Sequence, residues 1–376
     1  MGVRQGAVED VVSRADREAF WRGKRVLLTG HTGFKGSWLA FALHRWGAEI
    51  HGLALAPEGE ANLFKAAERA GAFASSVIGD IRDRQVVDAA LEKSGAEIVF
   101  HLAAQPLVRL SYRDPVGTYS TNVMGTVHVL DAVRRAIGVR AVVAVTSDKC
   151  YENNEWFWGY RENEPMGGYD PYSNSKGCSE LVVSAFRNSY FRDAGVVGLG
   201  SGRAGNVIGG GDWSEDRLVP DLIRNILAGQ EVPIRNPLAV RPWQHVLEPL
   251  SGYIALAERL YAEPSGPMAE GWNFGPGASS ERTVLDVVNS VCSAWGDGAA
   301  WRRDGGAHVH EAGYLKLDSS KARRLLKWEP AWNFDQTIQA TVSWYKAEAA
   351  GKDLVAFTEK QISDYFATSS AQLEKN

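Results

Sequence analysis

The segment Arg25–Gly36, RVLLTGHTGFKG, constrains the fold more than any other part of the chain. An apolar run enters a loop with glycines at 30, 33 and 36, and the helical pattern SWLAFALHRW (37–46) follows directly. In a strand–loop–helix unit, one such glycine permits a tight turn, one lets backbone approach a pyrophosphate, and one lets helix pack on strand. The helix start then offers amide donors and the positive end of its dipole. Gly30, Thr32, Gly33, Phe34, Lys35 and Gly36 are therefore the candidate phosphate-binding residues.

The rest of the chain fits such a unit. Short apolar runs recur at 49–55, 75–81, 97–104, 142–148 and 196–202, with helical patterns such as TVHVLDAVRRA (126–136) between them. Buried strands spaced by helices indicate βαβ units, so the expected fold is α/β, a doubly wound parallel sheet of Rossmann type. From about Asn206 the regularity breaks into glycine-, proline- and tryptophan-rich sequence, as in a smaller C-terminal substrate domain. The expected division is an N-terminal extension (1–19), a nucleotide-binding domain (20–205 plus about 238–276), a substrate domain (about 206–237 plus 277–366) and a frayed tail (367–376). The extension reads as a short surface helix leading into Phe20 and Trp21.

Composition excludes several function classes. Lysine and arginine number 41 against 45 aspartates and glutamates, a net charge of −4, so nothing favours nucleic acid. Cys150, Cys178 and Cys292 form no CxxC pair, which suits a reducing cytoplasm and offers neither a disulfide framework nor a zinc site. No apolar run approaches the ~18 residues of a membrane span, and no signal-peptide pattern opens the chain.

Tyr172-Ser173-Asn174-Ser175-Lys176 follows Pro171. Proline is favourable at a helix start, and residues four apart then share one face. A phenol of pKa ~10 is a poor base at neutral pH, and a neighbouring ammonium favours its charged form.

These features together resemble the extended short-chain dehydrogenases/reductases. That family uses GxxGxxG spacing. Its pattern matches Asp80-Ile81 at a strand end, where an acid meets adenine, and Leu102, Ala103 and Ala104 in HLAAQ, where backbone lines the cofactor. The resemblance implies that Lys176 holds the nicotinamide ribose and Tyr172 acts as base. It also implies that Ser147, or less directly Thr146, steadies the substrate oxygen at carbon 4. The second strand ends near Ala54 with neither an acid nor an arginine, so the residues leave NAD and NADP open; NAD follows from the resemblance.

Nucleotide-sugar 4,6-dehydratases carry two elimination groups after that serine or threonine, usually Asp then Glu. Here they are Asp148 and Lys149, with acid and base roles open between them. This departure resembles the CDP-glucose 4,6-dehydratases, as do TGHTGFKGSWLA (29–40), TSDKCYENNEW (146–156), RAGNVIGGGDW (203–213) and RPWQHVLEPLSGY (241–253). The resemblance implies a CDP-glucose substrate, bound NAD and a homodimer or higher homo-oligomer. It implies that Asn206 contacts the diphosphate and Arg241 grips it, and it suggests Arg109 and Ser111 as sugar-facing residues. Asp212, Asp216 and Arg217 lie in a loop placed to close over base or sugar. A nucleotide-sugar 4-epimerase is the nearest rival, but it needs no elimination pair. A catalytically silent dinucleotide sensor is the other, but it typically loses the tyrosine–lysine pair. The plainest alternative for Asp148 and Lys149 is a mutual ion pair that braces the strand end. His31, His101 and His245 read as structural.

Overall fold

The computed structural model describes residues 14–57, 59, 63–192, 196–296, 298–304 and 314–373. Strands β1 (Arg25–Thr29), β2 (Glu49–Ala54), β3 (Ser75–Ile78), β4 (Ile98–His101), β5 (Ala141–Val145) and β6 (Gly198–Arg203) form one parallel sheet with a seventh strand, Gly271–Asn273. The order is seventh strand, β6, β5, β4, β1, β2, β3. Chain order reverses between β1 and β4, whose register pairs Val26 with Ile98 and Thr29 with His101. At that reversal the following helices leave to opposite faces, and the carboxyl ends of the strands border a crevice.

Both faces of the sheet are buried, which explains why its strands read as apolar runs rather than alternating ones. Val26, Leu28, Ile98, Phe100 and Val143 point into one core, shared with helices Phe34–His44 and Leu247–Ala262. Leu27, Val99, Val142 and Leu199 point into the other, shared with helices Arg84–Ser94 and Gly125–Arg135. Each large apolar side chain so buried contributes about 1.5–3 kcal/mol.

Beyond Arg203 the chain makes short pairings instead of long strands. Val207–Ile208 pairs with Gln244–His245, Val232–Ile234 with Trp301–Arg303, and Val240–Pro242 with Glu281–Thr283. The triple glycine 209–211 is a packing device. A side chain at Gly210 would collide with Trp344, and one at Gly209 would press on Phe34 and Val246.

The N-terminal helix, Arg14–Trp21, is the short surface helix expected, and its end is pinned: Trp21 is fully buried and its indole donates to Glu258 Oε1 at 2.8 Å. The other terminus needs correction, because the chain does not fray after Phe366. Helix Leu354–Leu373 runs through that point, anchored by buried Ile362 and Tyr365 and by Phe366 edge-on to Trp46. Residues 1–13 and 374–376 lie outside the described residues. Among the described residues, no helix is long and apolar enough to cross a membrane.

Candidate active site

The phosphate loop is shaped by backbone against backbone. Gly30 has φ 77°, and a Cβ there would sit 2.7 Å from the amide nitrogen of Ala103. A Cβ at Gly36 would overlap the carbonyl oxygen of Gly30. Only glycine allows the turn at 30 and the close helix approach at 36. Gly33 opens helix Phe34–His44, and no side chain caps that start. Thr32 donates its hydroxyl to Leu55 O at 2.9 Å, and Ser37 donates to Gly33 O at 2.9 Å. The first-turn amides are thus left for an anion, so the loop fits a dinucleotide's pyrophosphate.

Lys35 reaches away from the loop. Its ammonium lies among Asp148, Asp212, Lys176 and Arg217; burial, then the two cations, push its pKa down to about 8 while the acids oppose. Leu102, Ala103 and Ala104 follow β4, with Leu102 N donating to Thr29 O at 3.1 Å and Ala103 N to Thr29 Oγ1 at 3.2 Å. Asp80 departs from expectation: β3 stops at Ile78, and Asp80 sits in the next turn. There Arg82 grips its carboxylate at 2.8 Å and holds its pKa below the usual range. Ile81 is buried, and its carbonyl oxygen lies 3.0 Å from His128 Nδ1. The second strand ends at Ala54.

The catalytic corner forms where β5 and the helix Pro171–Phe186 meet. Asp170 caps that helix through Ser173 N at 3.0 Å. Tyr172 and Lys176 lie one turn apart, both buried. Burial pushes the Tyr172 phenol up to about 12, and Asp148 and Asp170 add to the rise. The neighbouring Ser147 hydroxyl and the charge of Arg217 oppose it. Lys176 is pushed down to about 8 by burial, against the pull of Glu180. Of the two hydroxyls considered for carbon 4, Thr146 is committed elsewhere: it donates to Glu180, which is ion-paired with Arg203 at 2.7 Å. Ser147 faces Tyr172 and donates to Asp148 Oδ1 at 2.9 Å.

The strand has already turned at the elimination pair, because Asp148–Cys150 is a 3₁₀ turn with Ser147 at its cap. Asp148 is 1% exposed, and its Oδ2 is buried without a hydrogen-bond partner among the described residues. A Cβ at Gly205 would occupy the space of that oxygen. Lys149 is half-buried and makes no ion pair with Asp148, whose carboxylate accepts from Ser147 instead. The bracing ion pair is therefore not formed. An unsatisfied buried carboxylate is costly and marks a site organised for a ligand rather than for stability.

On the substrate side, Asn206 adopts φ 47° and carries a buried, unpartnered Nδ2. Arg241 is buried on Val240–Pro242 and donates to Val240 O at 2.9 Å. Arg109 reaches Asp216 at 3.1 Å and so latches the glycine- and tryptophan-rich loop to helix Val108–Arg113. Arg217 pairs with Asp212 at 2.8 Å. Ser111 departs from expectation: it is fully buried, and its hydroxyl is donated to Val108 O at 2.7 Å, inside its own helix. Desolvation holds His31 down to about 4 and His101 and His245 down to about 3, so all three are neutral structural groups.

Sequence reasoning missed Asn122. It lies in a π-helical turn, Ser120–Met124, accepts from Gln105 N at 2.8 Å and donates to Ser175 Oγ at 2.8 Å. It fastens the cofactor-side loop to the catalytic helix. No local spacing announces that bridge between distant segments.

Known proteins resemble this chain in sequence and in fold. A CDP-glucose 4,6-dehydratase of Salmonella typhimurium is 55% identical over 93% of this chain and 98% of its own length. A solved dTDP-glucose 4,6-dehydratase of Streptomyces venezuelae, with NAD and TYD bound, superposes with TM-score 0.75 at 25% identity, covering 88% of this chain and 99% of its own. A dTDP-glucose 4,6-dehydratase of Bacillus anthracis in complex with NAD has the same fold, with TM-score 0.73 at 23% identity over 89% of this chain and all of its own. Residues 26–269, from β1 almost to the seventh strand, match the model of the NAD dependent epimerase/dehydratase family. With its phosphate loop, switch point and tyrosine–lysine helix inside that match, the chain belongs to the NAD dependent epimerase/dehydratase family.

Proposed function

We propose that this enzyme removes water from CDP-glucose to give CDP-4-keto-6-deoxyglucose, with NAD held at the loop Gly30–Gly36. One observation carries the reading: a buried, half-unsatisfied carboxylate, Asp148, touches the same Ser147 that bonds to Tyr172. An oxidation site alone, as in an epimerase, needs no such group. The identity with the Salmonella enzyme supports the substrate.

NAD bound at this loop would supply a hydride acceptor for carbon 4 and a hydride donor for carbon 6. Tyr172 takes the carbon-4 hydroxyl proton, and Ser147 steadies the oxygen as it becomes a carbonyl. Lys176 and the start of the Pro171–Phe186 helix favour the phenolate. Lys176 also holds the ribose. Asp148 and Lys149 carry the proton transfers by which hydrogen leaves carbon 5 and hydroxide leaves carbon 6 as water, and by which a proton is given back to carbon 5 when hydride reaches carbon 6. The new ketone acidifies carbon 5, so elimination follows oxidation and redox is neutral overall. Arg241 and Asn206 hold the diphosphate, the guanidinium fork matching its oxygens. Arg109 positions the closing loop through Asp216.

The enzyme acts in the cytoplasm as a homo-oligomer. Three free cysteines suit that compartment, and exposed Val116, Met124, Leu181 and Tyr190 offer an apolar face on the two helices that bracket the site.

Incubation with CDP-, dTDP-, UDP- and GDP-glucose, read by product mass, tests the function. CDP-glucose should lose one water and outpace the others. Equal turnover of dTDP-glucose overturns the base assignment, and a product of unchanged mass overturns the dehydratase.

A further inference from the structure

A second group of buried polar atoms lies behind Asp148, outside the residues given roles so far. Tyr253, on helix Leu247–Ala262, is fully buried, and its hydroxyl has no hydrogen-bond partner among the described residues. Its ring is fixed on two sides: a Cβ at Gly202 would meet it at 2.5 Å, and Phe274 stands edge-on with centroids 5.5 Å apart. Gln244 is 1% exposed and spends its amide on Gly205 O and Phe274 O at 3.2 and 2.9 Å, so its Oε1 is left unpartnered. Gly205 is the residue over which the unpaired Asp148 Oδ2 lies. Gly205 thus links Gln244 to Asp148 and Phe274 links Gln244 to Tyr253, so all three orphaned polar atoms border the end of β6. Leaving each of them unsatisfied costs about 1–3 kcal/mol, and a buried water with two to four polar partners is the ordinary remedy.

We propose that Tyr253 is a positioning residue for Asp148: across a buried water shared with Gln244 Oε1, its hydroxyl holds the outer carboxylate oxygen for elimination. The proposal rests on the elimination role given to Asp148 above. Electrostatics agree, since the charge of Asp148 and that of Tyr172 both reach the Tyr253 phenol and raise it above its ordinary value, after burial itself. The other charged or titratable groups that face Asp148 are Lys35 from the phosphate-loop helix, Tyr172 from the catalytic helix and Cys150 from its own turn. None of these explains why a tyrosine hydroxyl should be buried beside a carboxylate without a bond. Tyr253 does not touch the sugar in this scheme. It fixes the direction of Asp148 through the shared water.

Tyr253→Phe removes the hydroxyl and leaves the ring in place. Stopped-flow absorbance follows the reduced cofactor, and product mass follows dehydration, across pH. Wild type run in parallel separates the two claims: if wild type does not dehydrate, the function assignment fails, whatever Tyr253 does. If wild type dehydrates, Tyr253→Phe should keep the oxidation phase within about twofold and slow elimination about tenfold. It should also move the acidic limb of the elimination profile while leaving the oxidation profile in place. In an Asp148→Asn background, Tyr253→Phe should have no further effect. Unchanged elimination with an unmoved limb overturns the proposal. So does an equal fall in both phases with an unmoved limb, or additivity with Asp148→Asn, since each marks a merely structural ring.

Discussion

The phosphate loop and the elimination corner face each other across one crevice, yet they are built on opposite principles. The loop spends its side chains on backbone and keeps its first-turn amides for an anion: Thr32 and Ser37 donate to carbonyl oxygens, and Gly30 and Gly36 close against carbonyl and amide groups. The corner instead leaves side-chain atoms open, with Asp148 Oδ2 and Asn206 Nδ2 buried and without a protein partner among the described residues. The loop binds by offering a fixed shape and a dipole. The corner acts because its polar capacity is unspent until substrate arrives, a strain that the surrounding fold must bear.

The same substitution should therefore fail differently in the two regions. Gly36→Ala forces a methyl into the Gly30 carbonyl, where only backbone can yield. It should lower stability by about 2–4 kcal/mol and abolish cofactor binding. Gly205→Ala forces a methyl into the Asp148 carboxylate, the end of a side chain. It should cost less than about 1 kcal/mol, leave cofactor binding intact, and reduce dehydration ~10²-fold by displacing Asp148. Thermal melts with and without NAD, set beside product formation, check both. Equal stability losses would erase the contrast.

A smaller effect sharpens it. His31 and His101 lie beneath the loop and are held neutral, with folded pKa values of about 4 and about 3 against 6.5. Their contribution is complete above pH 6.5 and is lost as pH falls towards those values, at about 1.4 kcal/mol per unit for each fully differential proton. On helix Leu247–Ala262, Glu248 is pushed up to about 7 by burial, while bonds from Trp332 N, Tyr365 and Ala331 N oppose the rise. A raised acid has the opposite sign: its contribution is present below pH 4.5 and is lost as pH rises to about 7. His245, at about 3, works against it there. Acidification from pH 6.5 to 4.5 should thus loosen the segments around His31 and His101 before helix Leu354–Leu373. Hydrogen exchange at the two pH values, read segment by segment, measures this, and uniform loosening would refute it.

The parts of the molecule legible in the sequence were those set by local spacing. The strand–glycine–helix run and the Tyr172–Lys176 pair are decided within a dozen residues by backbone sterics and helical period. Long apolar strings gave the sheet because parallel strands are buried on both faces. What escaped was decided by chain segments far apart. Tyr253 comes to the end of β6 only because helix Leu247–Ala262 packs against that strand. Asn122 reaches Ser175 only because two helices bracket the same loop. Ser111 looked available in a polar string, yet its helix turns the hydroxyl onto Val108 O. The polar C-terminus looked frayed, yet Tyr365 is anchored by Glu248, more than a hundred positions earlier.

The central claim is that oxidation and elimination belong to different side chains of one corner. Stopped-flow absorbance of the reduced cofactor, taken together with product mass on Asp148→Asn, Lys149→Met and Tyr172→Phe, tests it most directly. The account predicts that the Asp148 and Lys149 variants still oxidise carbon 4. They should accumulate reduced cofactor and lose dehydrated product by ~10²-fold or more, whereas Tyr172→Phe gives no absorbance change at all. Dehydrated product at near-wild-type rates from the Asp148 and Lys149 variants would contradict it and move the elimination groups elsewhere.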